Sequence, residues 1–241
     1  MGFLQACIEA RGPPKLEGLP VVSYLAAPIL SHMRKHGVPI NMPYGMTDKE
    51  LESAISYGSH SSSNKERSFV RRELAEQLQA GNIAIFPLAA IRHLNKLWLS
   101  PLAVIPQTGR KPRMIHKFSW RGLNKLTRAA AHKDSVRFGK ALYRLLDCIL
   151  AADPALGPTY LCKVDLVDAY MRIWVQSEDV PSVAFLIPKE TEDEEQLVGF
   201  HLSIPMGYME STAFLCTSTK TVKDRALATL NSRSQSLPHT R

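Results

Sequence analysis

Residues 98–105 and 113–118 are two β-prone runs separated by a polar turn at 107–111, and such a pairing commits the middle of the chain to a sheet. In the second run, period two puts Arg113, Ile115 and Lys117 on one face and Met114, His116 and Phe118 on the other, so one face is basic. Two more strand-like runs, 182–187 and 197–203, flank the acidic stretch 190–195, which reads as a solvated hairpin tip. Helical patterns surround these runs. Thr47-Asp48-Lys49-Glu50 is a capping box that starts a helix ending near Gly58, residues 59–64 read as a polar linker, and residues 66–80 place Val70, Leu74 and Leu78 on one face before Gly81-Asn82. A short helix is expected over 24–35. Another spans 141–151, with Leu142, Leu145, Leu146 and Leu150 facing inward, and Leu215, Val222, Ala226 and Leu230 form a later helical stripe. The expected class is α+β.

Charge narrows the range of partners. The net charge of +8 is concentrated in the first two thirds of the chain, and residues 91–144 hold 13 basic side chains against the single acidic Asp134. A polyanion is the partner such a distribution suits. Four scattered cysteines, Cys7, Cys148, Cys162 and Cys216, form no C-x-x-C pair, which fits free thiols in a reducing interior and an intracellular location. The apolar stretch 21–30 is too short to span a bilayer and contains Pro28, so no membrane association is expected.

The densest chemical signal is Lys163-Val164-Asp165-Leu166-Val167-Asp168-Ala169-Tyr170. It reads as a buried strand, with Tyr160, Leu161, Val164 and Leu166 as apolar surroundings, that delivers a carboxylate and then turns sharply. A carboxylate at a strand end is where metal-dependent phosphoryl transfer needs one. This stretch resembles motif A of reverse transcriptases. Two further segments fit in the same order: Ser100 to Gln107 with Gly109 and Pro112-Arg113-Met114-Ile115-His116 resemble the fingers hairpin of retroelement enzymes, and Ile204-Pro205-Met206-Gly207-Tyr208-Met209-Glu210-Ser211 resembles motif B. The resemblance runs from about His36 to about Asp224 and is closest to retrotransposon-type enzymes.

The resemblance implies the fingers and partial palm of a right-hand polymerase, with an N-terminal helical extension at 1–82, a fingers-like region at 83–160 and a partial palm at 161–241. It implies an RNA-directed DNA polymerase, a nucleotidyltransferase using Mg²⁺, deoxynucleoside triphosphates and an RNA or DNA primer-template. Asp165 would coordinate metal. Asp168 would lie near the triphosphate or, alternatively, cap a buried turn. Tyr170 would be the steric gate beneath the sugar, or packing in the core. Lys111 and Arg113 would grip the triphosphate, with Arg110 as an alternative to Lys111. Met206 would line the nucleotide pocket, and Gly207 would let the backbone approach closely. Lys117, Arg121 and Lys125 would track template phosphates, while Phe118 and Trp120 would stack on bases or belong to the core.

One element of the family pattern is missing. Two-metal transfer needs a second acidic cluster, supplied in the family by a Tyr-x-Asp-Asp hairpin after motif B, and this sequence contains no Asp-Asp dipeptide. The sequence therefore reads as a truncated polymerase, inactive by itself. The rival reading is a non-enzymatic nucleic-acid-binding remnant that keeps the basic face, and a third is an inert relic. The family's proline after the motif B serine is replaced here by Thr212, which leaves the local helix start open.

Overall fold

The computed structural model describes residues 2–11, 27–127, 141–160 and 166–219. At its centre is a five-stranded mixed sheet in the order β1-β5-β4-β2-β3. The strands are β1 (Ile83–Pro87), β2 (Leu99–Gln107), β3 (Arg110–His116), β4 (Ala184–Leu186) and β5 (Leu197–His201). The β2–β3 hairpin and the β4–β5 pair are both antiparallel, as the sequence patterns suggest. Long-range pairing completes the sheet. β2 runs parallel to β4, with Leu99 opposite Ala184, and β1 runs antiparallel to β5, with Ile83 opposite His201. The molecule is thus α+β with a mixed sheet.

Side chains alternate across this sheet between two apolar clusters, as period two requires. On one face, Ile83, Leu102, Val104, Phe185 and Ile187 meet Phe69, Val70 and Leu74 of helix α5 (Arg67–Gln79). The opposite face carries Ala84, Leu99, Ala184, Leu186, Val198 and Phe200 into a larger core. That core also takes Leu4 and Ile8 of α1 (Gly2–Ala10), Met33 of α2 (Ala27–His36), Val38, Ile40, Ile173, Val175 and Phe214. The N-terminal helices and the region after residue 166 therefore share one hydrophobic interior.

Two polar anchors tie the N-terminal segment down. Asp179, 3 % exposed, accepts from the backbone N–H groups of Ile40 and Asn41 and pairs with Lys96 Nζ at 2.9 Å. Arg11 donates to the carbonyls of Leu202 and Val175 and lies over the Trp174 ring, and burial lowers its guanidinium to about 10.

Helix α3 (Asp48–Tyr57) begins at the expected capping box: Thr47 accepts from Glu50 N–H, and the Glu50 carboxylate accepts from Thr47 N–H. The expected polar linker over 59–64 is instead largely a helix, α4 (Ser61–Lys65). Its polar composition conceals an internal use of hydroxyls, since buried Ser63 donates to the carbonyl of Leu102 on β2. Helix α5 forms as expected, but Leu78 is 47 % exposed and Phe69 takes the third buried position. α6 (Leu88–Ile91) follows β1, and α7 (Leu123–Leu126) follows the β2–β3 hairpin.

Helix α8 (Ala141–Leu150) forms where expected, yet Leu145, Leu146 and Leu150 are exposed rather than inward-facing. Periodicity selects a helix, whereas burial requires a partner that the sequence pattern does not specify. Residues 211–219 are helical, beginning at Ser211, so Thr212 in place of proline does not prevent the helix start. Val222, Ala226 and Leu230 lie outside the described residues.

Candidate functional site

Three separate stretches of sequence converge on one open cleft of about 620 Å³. Arg113 enters from β3, Leu166, Asp168 and Tyr170 from the 166–172 stretch, Met206 from the 204–210 loop and Leu215 from the helix after it. Arg113 Nη2 lies 3.5 Å from Met206 Sδ, so the hairpin and the motif B loop touch at the cleft rim. The lining is a cation and a carboxylate set among apolar side chains.

Backbone geometry aims the side chains of 168–172. Asp168 adopts a left-handed conformation (φ 52°, ψ 39°), which turns the chain into a short 3-10 segment, Ala169–Arg172. Its side chain is exposed and makes no capping bond, so the buried turn-capping alternative is excluded. Tyr170 is half-buried, packs against the main core and lines the cleft, with its hydroxyl 3.4 Å from Thr212 Oγ1. The core packing expected as one alternative for this residue is therefore present. Tyr160 is 86 % exposed and Leu166 50 % exposed, so neither supplies the buried surroundings expected for the motif A strand. Asp165, with Leu161 and Val164, lies outside the described residues.

Gly207 has φ +99°, and a Cβ there would sit 3.3 Å from the carbonyl oxygen of His116. Glycine therefore meets two demands at once, a left-handed backbone and close passage over β3. Buried Tyr208 follows it, its hydroxyl 3.4 Å from the Ile40 carbonyl, and burial pushes its phenol above the ordinary value.

Lys111 is placed differently from Arg113. Its ammonium lies 2.7 Å from Glu73 and 3.5 Å from Glu76 on α5, and Glu73 in particular raises its pKa. Two carboxylates separated from it in sequence hold it away from the cleft, whereas neighbouring Arg110 is exposed. Arg121, also in a left-handed conformation, donates to Ser53 and stands 4.6 Å over the Trp120 ring. Trp120 itself lies against Tyr57, with centroids 4.6 Å apart. Phe118 is 1 % exposed and belongs to the core, so it is not a base-stacking surface. Lys125 is exposed and Lys117 half-buried.

Two features escaped the sequence patterns. Asn124 on α7 bonds to the motif B loop with both ends of its amide. His116 and His201 form a buried pair, Nε2 of His201 lying 3.2 Å from both ring nitrogens of His116. Partners that meet from distant strands leave no local signature.

Among the described residues, no group of three or more His, Cys, Asp and Glu side chains could hold a metal ion. The cleft supplies one described carboxylate, Asp168, which does not make a site for a pair of Mg²⁺ ions. No helix among the described residues is long and apolar enough to cross a membrane. No protein-family model matches the chain, and no curated protein matches it significantly.

Proposed function

We propose that the chain is the fingers and first part of the palm of a retroelement reverse transcriptase, the portion that holds a nucleoside triphosphate against a primer-template. The observation that carries this reading is the convergence of Arg113, Asp168, Tyr170 and Met206 on one cleft from three distant stretches. In this reading the Arg113 guanidinium grips triphosphate oxygens with planar, paired N–H donors. Tyr170 lies beneath the sugar, where its ring disfavours a 2′ hydroxyl. Met206 and Leu166 contact the base, and Gly207 allows the backbone to approach. The α+β fold with its mixed sheet is compatible with a right-hand polymerase.

Mg²⁺ and the second acidic pair belong to the intact enzyme, and these 241 residues alone do not polymerise because their sequence lacks that pair. The test is titration of the purified chain with a labelled deoxynucleoside triphosphate and with an RNA–DNA primer-template. Triphosphate binding is expected to weaken at least tenfold in Arg113→Ala, the loss of charge-assisted hydrogen bonds being worth about 1.5–3 kcal/mol. Lys111→Ala, which removes an exposed ion pair with α5, should change it little.

A second reading, a non-enzymatic nucleic-acid-binding remnant, is favoured by the exposed Arg110, Arg113, Arg121 and Lys125 in the most basic segment. Salt-dependent primer-template binding with no triphosphate binding at millimolar concentration would select it.

A further inference from the structure

One side chain from outside holds the backbone of the 206–209 loop at two points. Asn124 Nδ2 donates to the carbonyl of Gly207 at 3.2 Å and to Ser119 Oγ at 3.1 Å, while its Oδ1 accepts from Met209 N–H at 3.1 Å. All three bonds use the amide in one orientation. The reversed amide would set oxygen against the Gly207 carbonyl and NH₂ against the Met209 N–H. The two backbone partners flank buried Tyr208, so Asn124 spans the point where the loop dips into the core. On the loop's outer side, Met206 and Met209 remain 45 % and 54 % exposed, and Met206 is a wall of the cleft.

We infer that Asn124 is a positioning residue: it fixes the loop 206–209 and thereby the place of Met206 and the Gly207 backbone in the cleft. The loop's other contacts lie elsewhere: Tyr208 N–H and Ser211 Oγ both reach the Pro205 carbonyl, the Tyr208 hydroxyl reaches Ile40, and Arg113 Nη2 touches Met206 Sδ. None of these fixes the Gly207 carbonyl or the Met209 N–H. Gly207 tolerates many backbone conformations, so without the Asn124 clasp the Gly207–Tyr208 peptide keeps its N–H bond to Pro205 but loses the hold on its carbonyl. Few side chains could replace it. Aspartate keeps the acceptor but places a second oxygen against the Gly207 carbonyl, and leucine keeps the shape without either bond. The ligand assigned to the cleft rests on the nucleotide reading above; the positioning of the loop does not.

The test uses the full chain with Asn124→Leu, Asn124→Asp and, as a control that removes only the third contact, Ser119→Ala. Three quantities are measured: melting temperature, amide hydrogen exchange over residues 205–210, and binding of dTTP with Mg²⁺. Both Asn124 variants are expected to speed exchange in 205–210 about tenfold, leave exchange elsewhere and the melting temperature nearly unchanged, and weaken dTTP binding about tenfold. Ser119→Ala should behave as wild type. Unchanged exchange in 205–210 in both Asn124 variants overturns the inference, as does exchange raised uniformly with a falling melting temperature, which marks a merely structural residue. If wild type does not bind dTTP, the nucleotide reading fails and the exchange measurement alone decides the positioning role.

Discussion

Acidification should destabilise this protein through the pair His116 and His201. Their ring centroids are 4.2 Å apart, and Phe118 and Phe185 pack around them. Burial pushes His116 from 6.5 down to about 3, and burial together with the neighbouring imidazole holds His201 well below its ordinary value. Both folded values lie below the unfolded ones, so the unfolded chain takes up protons first as pH falls. The stabilisation is whole above about 6.5 and is progressively lost toward about 3. Between about pH 7.5 and 5.5, an unfolded histidine passes from mostly neutral to mostly charged, a loss of roughly 1 kcal/mol per group and about 2–3 kcal/mol for the pair. For a chain of this size, that lowers the melting temperature by about 5–11 °C. Thermal unfolding at several pH values in this window would measure it, with His201→Leu as the comparison, because one titrating group removed should roughly halve the slope. Equal melting temperatures at both ends of the window, or an undiminished slope in the variant, would refute the reasoning.

Three further outcomes follow from the packing. Gly199→Ala would place a Cβ 2.2 Å from Cζ of fully buried Phe185, whose ring is confined by His116 and His201. Calorimetry should show a loss of about 1–3 kcal/mol or more, and an unchanged midpoint would mean that the ring has room to move. Thr47→Ala removes the capping box of α3 and should cost about 1 kcal/mol in urea unfolding, with no change in m-value. Asp179→Ala leaves Lys96 and two N–H groups without their carboxylate and should cost about 3–5 kcal/mol by the same assay.

Local chemistry was the legible part of this fold. The Thr47 capping box, the β2–β3 hairpin and the helical span of α5 each depend on residues close in sequence, and each forms where the pattern placed it. Helix α4 was hidden because serine-rich sequence looks like a linker until the β2 carbonyl that receives the Ser63 hydroxyl is known. The parallel β2–β4 pairing, the histidine pair and the hold of Glu73 on Lys111 depend on tertiary approach, which periodicity does not encode. Within the cleft, Arg113, Asp168, Tyr170 and Met206 could be chosen from ordered motifs, but not Asn124, whose partners on the 206–209 loop are backbone atoms of any sequence.

The strand order has a consequence for synthesis on the ribosome. β1 is made early, yet its hydrogen-bonding neighbour is β5, and β5 also joins it to β4 in the finished sheet. The β2–β3 hairpin can close as soon as His116 emerges, but neither edge of β1 meets its partner strand until His201 has left the exit tunnel. The nascent chain therefore carries an adhesive strand while residues 88–201 are made, and crowded polysomes or scarce chaperones should reduce its yield more than the folded protein's stability would suggest.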